Sequence, residues 1–279
     1  MKTTYLINKY NTKQLSKVID CITEAIHPEK IFLLGATADH TLSENIFRGN
    51  RQPALTVKEY QLLILINADD RQVIDELQNM VESACRSHTA ITAMIIHLPV
   101  FNKWLQKGHL LAHTVYANNC LIYDAGKVPL AEPGMCNQQV LQDKISRECM
   151  VWLNRATECM AGVEMYSKRK QYGMATFLLH QATELAFMTA IRLKTGFKAS
   201  THNLNILMRY AVPFCGDELQ VFNLNNDKDR SLFKLLQKAY IQGRYENGFV
   251  VKEQDFAELL KRVQRLLKVF QDLDGGVIE

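Results

Sequence analysis

Hydrophobic residues in the first half of the chain alternate between helical and strand-like spacing. Apolar residues recur three and four positions apart over 15–26 and stop before Pro28, which predicts a helix. Continuous apolar runs predict buried strands at 31–34, 60–66 and 91–98, with a short strand at 120–123. Further helices are predicted at 73–84 and 104–116. This order of elements predicts a mixed α/β sheet with helices on its faces.

The second half shows helical spacing throughout. Apolar residues three and four apart mark helices at 139–166, 172–194, 203–210, 231–242 and 253–271. Helix breaks are predicted at Gly196, at Pro213 with Gly216, at Asn225 with Asn226, and between Gly243 and Gly248. The pattern is typical of a helical bundle. The fold class predicted for the whole chain is therefore α+β, with domains at 1–130 and 139–279.

A glycine follows the first predicted strand. Gly35, Ala36 and Thr37 are predicted to form a turn whose backbone N–H groups are candidates for binding a phosphate, the alternative being a plain strand-to-helix turn. The segment 37–57 is predicted to be a long connection, and long connections are often functional or mobile.

The composition is typical of an ordinary globular protein and argues against disulfide-rich, zinc-binding and membrane-spanning classes. With 279 residues, 47% of them hydrophobic and 22% charged, the chain is long enough for two ordinary globular domains. Its 7 cysteines include no Cys-x-x-Cys pair, which argues against a disulfide framework and a structural zinc site. No apolar run approaches the roughly 20 residues of a membrane span, and residues 1–10 lack a signal-peptide core. We therefore expect a soluble cytoplasmic protein without membrane contact.

The net charge of +4 lies entirely in the second half of the chain. Residues 1–132 hold 13 basic and 13 acidic side chains, whereas residues 133–279 hold 20 and 16. This excess permits contact with RNA or another polyanion but does not require it.

The first half resembles the minimal nucleotidyltransferase fold over about residues 11–125. The resemblance rests on the apolar strand 31–34 followed by Gly35, on a second strand beginning at Glu59, and on the terminal helix and strand. In that family, a Gly-Ser pair holds the nucleotide triphosphate and an Asp-x-Asp motif with a third carboxylate holds two metal ions. The corresponding positions here include Ala36, Glu59 and Gln61.

These departures remove most of the expected metal site. No Asp or Glu occurs between Glu82 and Asp124, a span that contains the whole third strand. The sequence therefore predicts a degenerate transferase domain without a cofactor. Glu59 is a weak candidate metal ligand, and Mg²⁺ is expected only if the transferase site is active.

The second half resembles a HEPN domain over about residues 139–272. The matching residues are Ala175, Phe177, Leu178, Leu179, His180, Gln181, Ala182, Glu184, Leu185, Ala186, Gly196, His202, Asn203, Leu204, Tyr240, Arg244 and Tyr245. Many HEPN domains are ribonucleases with an Arg followed four to six intervening residues later by a His, a pattern that is missing here. The resemblance implies the non-nuclease branch with an Arg-Tyr pair, for which nucleotide binding is the usual suggestion.

Polar residues of the second half form the main candidate ligand site. His180, Gln181 and Glu184 lie within little more than one helical turn, and the turn near His202 could bring a second imidazole beside them. Arg244 would bind a phosphate and Tyr245 would stack on a base. The alternative is a buried hydrogen-bond network that fixes helix packing, or an Arg244 buried against Glu184.

The sequence favours a non-catalytic nucleotide- or RNA-binding regulatory protein that forms homodimers. The alternative is an enzyme of a toxin–antitoxin or defence system. It would be a transferase with one metal on Glu59, or a ribonuclease using His180, His202 and Arg244. A third alternative is a structural protein that binds only a partner.

Overall fold

A computed structural model describes residues 13–41, 54–67, 73–135, 137–246 and 248–274. The chain divides into two compact units, residues 1–137 and residues 138–279. The sequence predicts this division between residues 130 and 139. Each unit is described by itself below.

The N-terminal unit is a mixed α/β sheet. Its elements are α1 (Lys13–Ile26), β1 (Lys30–Thr41), β2 (Ala54–Ile66), α2 (Ile74–Cys85), β3 (Ala90–His97), α3 (Leu98–Gln106), α4 (Leu110–Asn118) and β4 (Leu121–Asp124). The strand order is β3-β2-β1-β4. β1 is antiparallel to both β2 and β4, whereas β2 and β3 are parallel because α2 returns the chain to the same end of the sheet.

Both faces of the sheet are buried, which explains the continuous apolar runs of its strands. On one face, α1 and α2 pack through residues such as Val18 and Leu77 against strand residues such as Leu62. On the other face, Phe32 of β1 stacks on Phe101 of α3, with ring centroids 6.1 Å apart.

The turn predicted at Gly35 is wrong, because β1 continues through Gly35 to Thr41. A Cβ added at Gly35 would lie 2.9 Å from the Gln61 side-chain oxygen, so glycine makes room for Gln61 rather than ending the strand. The predicted connection 37–57 is shorter than expected, because residues 37–41 belong to β1 and residues 54–57 belong to β2. Residues 42–53 lie outside the described residues. The single helix predicted at 104–116 is two helices separated at Gly108, whose φ is +73°.

The C-terminal unit is a helical bundle, as predicted. It contains α5 (Gln138–Lys168), α6 (Tyr172–Thr195), α7 (Leu204–Cys215), a short 3₁₀ helix (Asp217–Leu219), α8 (Asp227–Tyr245) and α9 (Glu253–Asp274). α6 is the central helix, since it packs against α5, α7, α8 and α9. None of the helices in the described ranges is both long enough and apolar enough to cross a lipid bilayer.

The helix breaks predicted at Pro213 with Gly216 and between Gly243 and Gly248 are confirmed, although the first residue of each lies inside a helix. α7 ends before Gly216, with Pro213 in its last turn. α8 ends at Tyr245. Gly243 belongs to α8, where a Cβ would lie 3.2 Å from the Gly173 carbonyl oxygen and 3.1 Å from Phe177 Cβ. The absence of a side chain at Gly243 therefore permits α6 and α8 to approach closely. The predicted break at Gly196 is confirmed, because this residue ends α6 with a φ of +70°.

Candidate functional site

The sheet positions that carry the transferase resemblance hold a hydrogen-bonded polar row. Gly35 and Thr37 of β1 lie opposite Gln61 and Glu59 of β2. The Gln61 amide donates to Thr37 Oγ1 at 3.3 Å, and Gln61 is only 3% exposed. This neutral amide lies at a position that the resemblance to nucleotidyltransferases would assign to a metal-binding aspartate.

Glu59 accepts a hydrogen bond from a neighbouring strand. Thr92 Oγ1 of β3 donates to Glu59 Oε1 at 2.5 Å. Within the part of the chain that the structure describes, no three His, Cys, Asp or Glu side chains lie close enough together to hold a metal ion. The described residues therefore offer a divalent metal one carboxylate at this position, that of Glu59.

The candidate site of the helical unit begins on one face of α6. Both His180 and Glu184 are buried, with His180 fully inaccessible and Glu184 7% exposed. His180 Nδ1 lies 3.8 Å from Glu184 Oε2, which is too long for a hydrogen bond. Among the residues that the structure describes, neither His180 Nε2 nor Glu184 Oε2 has a hydrogen-bond partner. Two buried polar atoms on the same helix face are thus unsatisfied.

His202 connects this face to the surface. Its Nδ1–H donates to Glu184 Oε1 at 3.0 Å, although more than half of the His202 side chain is exposed. Its ring stacks on Tyr240 of α8, with centroids 4.8 Å apart and planes inclined by 19°. Tyr240 also contacts the His180 ring at 5.1 Å. The two imidazoles predicted to meet are therefore joined by Tyr240.

Burial dominates the electrostatics of the cluster. Burial, with a smaller contribution from the nearby His202, lowers the pKa of His180 to about 4, so His180 is neutral at pH 7. Burial also raises the pKa of Glu184, an effect that the hydrogen bond from His202 partly opposes. A neutral His180 therefore lies behind the exposed His202.

Arg244 and Tyr245 extend the site along α8. The Arg244 guanidinium lies over the rings of Tyr245, Phe177 and Tyr240, at 4.9, 5.5 and 5.6 Å from their centroids. Arg244 is exposed and forms no ion pair with any carboxylate in the described ranges. The alternative in which Arg244 is buried against Glu184 is therefore wrong.

The remaining predicted residue, Gln181, lies at the margin of the cluster. Its amide donates to His180 Nδ1 at a long 3.4 Å. Another glutamine, absent from the prediction, holds the segment that carries His202: Gln237 Oε1 accepts from Leu204 N–H at 2.7 Å.

The predicted site left out Phe177, Gln237 and Tyr240, although Phe177 and Tyr240 are among the residues that carry the HEPN resemblance. Tyr240 and Arg244 are four residues apart on one helix, a spacing that places both side chains on one face and was a usable signal. No local pattern relates Phe177 or Gln237 to that face, because their contacts cross from one helix to another.

Comparison with known proteins identifies the helical unit. Residues 149–273 match the model of the HEPN domain, so the predicted HEPN domain is confirmed over this range. No curated protein matches the chain. The nucleotidyltransferase resemblance of the N-terminal sheet stays a prediction.

Proposed function

We propose that this protein is a non-catalytic, cytoplasmic, nucleotide- or RNA-binding regulator that binds its ligand through the HEPN domain. The observation that carries the proposal is Arg244, an exposed guanidinium held over three aromatic rings without a carboxylate partner in the described part of the chain. A guanidinium with free N–H donors binds phosphate in a bidentate manner. The HEPN match is consistent with a nucleotide- or RNA-related function.

The exposed residues of the cluster would contact the ligand. Tyr245, which is 70% exposed, offers a ring face on which a base can stack beside the Arg244 guanidinium. His202 offers a second exposed ring with a nitrogen for hydrogen bonding. The buried residues would act through these groups, because Glu184 holds His202 and Tyr240 separates His202 from His180.

Burial of His180 supports binding over catalysis. A general acid or base must reach the proton that it transfers, and His180 is 0% exposed. The resulting low pKa also leaves it unprotonated at neutral pH. The ribonuclease alternative requires His180 to act with His202 and Arg244, and the transferase alternative requires a metal on Glu59. RNA degradation that stops in His180→Ala would favour the first alternative.

Replacing Arg244 should remove binding without unfolding the domain. We expect Arg244→Ala to weaken the binding of a short single-stranded RNA at least tenfold, because phosphate contacts to Arg are charge-assisted. Thermal unfolding should change little, since Arg244 is exposed and has no buried ion partner among the described residues. Fluorescence anisotropy with a labelled single-stranded RNA measures the affinity.

The matched control for Arg244 is Arg265→Ala, another exposed arginine of the same domain. Arg244→Lys keeps the charge but loses the planar fork, and its affinity should fall between those of the wild type and Arg244→Ala. Unchanged RNA affinity in Arg244→Ala, or a large loss of stability in that variant, would contradict the proposal.

A homodimer through α5 and α9 is a second part of the proposal. These helices line an open groove of about 590 Å³ with residues that include Met150, Leu153 and Leu267. The apolar side chains of Met150 and Val151 are 42% and 50% exposed. An apolar surface on the long helices of a small bundle favours self-association through a matching surface on a second copy.

Charge placed in this groove should therefore separate the copies. We expect sedimentation velocity at micromolar concentration to show a dimer of the 32.0 kDa chain. We expect Met150→Glu to show a monomer, because a dimer would bury the new carboxylate without a partner. Val73→Glu, at an apolar residue of the N-terminal unit that is 59% exposed, is the matched control. A wild-type protein that remains monomeric over this range would remove the dimer from the proposal.

A further inference from the structure

A cavity lies in the N-terminal unit, apart from the polar row of Glu59 and Gln61. Its volume is about 560 Å³, within the range of small-molecule sites. Asn67 and Leu98 line it, and they directly follow the paired strand ends Ile66 and His97. The cavity therefore lies at the carboxyl ends of the two parallel strands, whereas Glu59 lies toward the opposite end of β2. Carboxyl ends of parallel strands are the edge at which open α/β sheets bind ligands.

A buried carboxylate lines this cavity. Glu29 is 4% exposed, and its Oε2 has no hydrogen-bond partner in the described part of the chain. The backbone around this side chain is fixed, because Glu29 N–H donates to the Leu65 carbonyl and the Glu29 carbonyl accepts from Ala125 N–H. Glu29 forms no ion pair within the described ranges. A buried, unpaired carboxylate is costly, so its position in a cavity indicates an acceptor for an incoming N–H donor.

Two lysines line the same cavity one helical turn apart. Lys103 lies in α3 and Lys107 directly follows it, and both are exposed. Neither forms an ion pair with a described acidic residue. Two like charges at this spacing repel each other, and a bound anion relieves that repulsion. The cavity thus combines an acceptor at a buried position with two cations at exposed positions.

A third side chain of α3 holds the cavity wall. Asn102 Nδ2 donates to the Pro129 carbonyl at 3.3 Å, and Asn102 Oδ1 accepts from Ala131 N–H at 2.9 Å. These bonds fix the segment that includes Val128, an apolar residue of the lining. The wall is therefore held by the protein itself and does not need a ligand to form.

We propose that this cavity binds a guanine nucleotide, with the base on Glu29 and the phosphate on Lys103 and Lys107. Guanine presents two adjacent N–H donors on its Watson–Crick edge, which a single carboxylate can accept together. Adenine presents a donor beside an acceptor, and that acceptor would face the Glu29 carboxylate. Lysines bind phosphate as point charges, which suits an exposed pair on a helix. This site is separate from the one proposed around Arg244.

Calorimetry on the full chain with GMP and AMP tests the assignment. We expect GMP to bind at least tenfold more tightly than AMP in the Arg244→Ala variant, which removes the phosphate-binding residue of the other proposed site. Glu29→Gln, a change of nearly equal shape, should reduce GMP affinity at least tenfold and abolish the preference over AMP. The double variant Lys103→Ala/Lys107→Ala should weaken both nucleotides and reduce the salt dependence of binding.

The chain offers a matched control for the lysine pair. Lys13 and Lys17 are both exposed and also four residues apart, on α1, and neither lines the cavity. Lys13→Ala/Lys17→Ala should leave GMP affinity unchanged. Circular dichroism and thermal unfolding verify that each variant is folded.

Three results would overturn this proposal. The first is no GMP binding by the Arg244→Ala protein at millimolar concentration. The second is equal affinity for GMP and AMP that is unchanged by Glu29→Gln. The third is a lysine-pair effect that the Lys13/Lys17 control reproduces. If the site around Arg244 binds no nucleotide, the test of the Glu29 cavity still holds, because every titration uses protein in which Arg244 is already replaced.

Discussion

Arg262→Ala is expected to lower the free energy of unfolding of the helical unit by about 3 kcal/mol, since it breaks a partly buried ion pair and leaves one charge behind. Arg262 of α9 donates to both carboxylate oxygens of Asp229 in α8, at 2.9 and 2.7 Å. The two side chains are only 19% and 13% exposed. Bidentate pairs of this kind are among the stronger ionic contacts.

Further contacts of Arg262 increase the effect. Its guanidinium donates to the Val221 carbonyl at 2.8 Å and lies 5.3 Å from the centroid of the Phe222 ring. Arg262 therefore joins α9 to the first turn of α8 and to the segment that precedes it. The hydrogen bond from Arg262 is also the main reason that the pKa of Asp229 is lowered, so this contribution is present above pH 3.8 and is lost as the pH falls below that value.

Chemical denaturation of the variants at pH 7 measures the loss. Asp229→Ala should cost less, because Arg262 keeps its ion pair with Glu258 at 3.0 Å. The double variant should cost clearly less than the sum of the two single variants. The matched control is Arg230→Ala, because Arg230 and Asp227 form an exposed ion pair in the same helix that is expected to contribute little. Additive losses in the double variant would show that the Arg262 pair is not a source of stability.

The second large effect is a loss of stability on acidification that depends on His180. The unfolded state takes up a proton near pH 6.5, whereas burial holds the pKa of His180 at about 4 in the folded state. The folded state binds fewer protons in this interval, so the stability contributed by neutral His180 is present above pH 6.5 and decreases as the pH falls toward 4. The difference between the two pKa values corresponds to roughly 3 kcal/mol.

Glu184 acts in the opposite direction. Burial raises the pKa of Glu184, so the folded state binds this proton at a higher pH than the unfolded state does. Protonation of Glu184 therefore stabilises the fold on acidification and offsets part of the His180 effect. A variant that changes His180 alone separates the two contributions.

His180→Asn keeps a polar group near Nδ1 but does not titrate. Between pH 7 and pH 4, the wild type should lose roughly 3 kcal/mol more than this variant. The two tryptophans, Trp104 and Trp152, lie in different units, so a Trp104→Phe background makes the fluorescence of Trp152 report on the helical unit. His88→Gln, at an exposed histidine of the N-terminal unit, is the control. Equal slopes for His180→Asn and the wild type would contradict the burial argument.

The order of elements could be predicted from the sequence because buried apolar residues repeat with the period of the helix or strand that contains them. Strands covered on both faces appear as apolar runs such as 60–66, and amphipathic helices appear as apolar residues three and four apart. The errors concern residues whose conformation depends on a distant contact. Glycine commonly interrupts strands and helices, yet Gly35 and Gly243 both lie within regular elements. The missing side chain leaves room there for Gln61 and for the Gly173 carbonyl, respectively.

The candidate site was predictable only in part. Helical spacing alone places His180 and Glu184 on one face of α6. The hydrogen bond from His202 to Glu184 spans 18 residues and a helix end, and the position of Arg244 over Phe177 depends on how α8 crosses α6. Such contacts join residues that are far apart in the chain, so no repeating sequence pattern predicts them.

Residue type and local spacing were enough to predict the two-part organisation and the helical character of the HEPN region. They also show Ala36 and Gln61 at positions that the transferase resemblance would assign to a serine and a metal-binding aspartate. Which polar residues are accessible depends on how the elements pack. It buries His180, exposes Arg244 on three aromatic rings, and places Glu29 with Lys103 at one cavity. Accessibility and charge pairing arise from packing between elements distant in the chain, which no local pattern encodes.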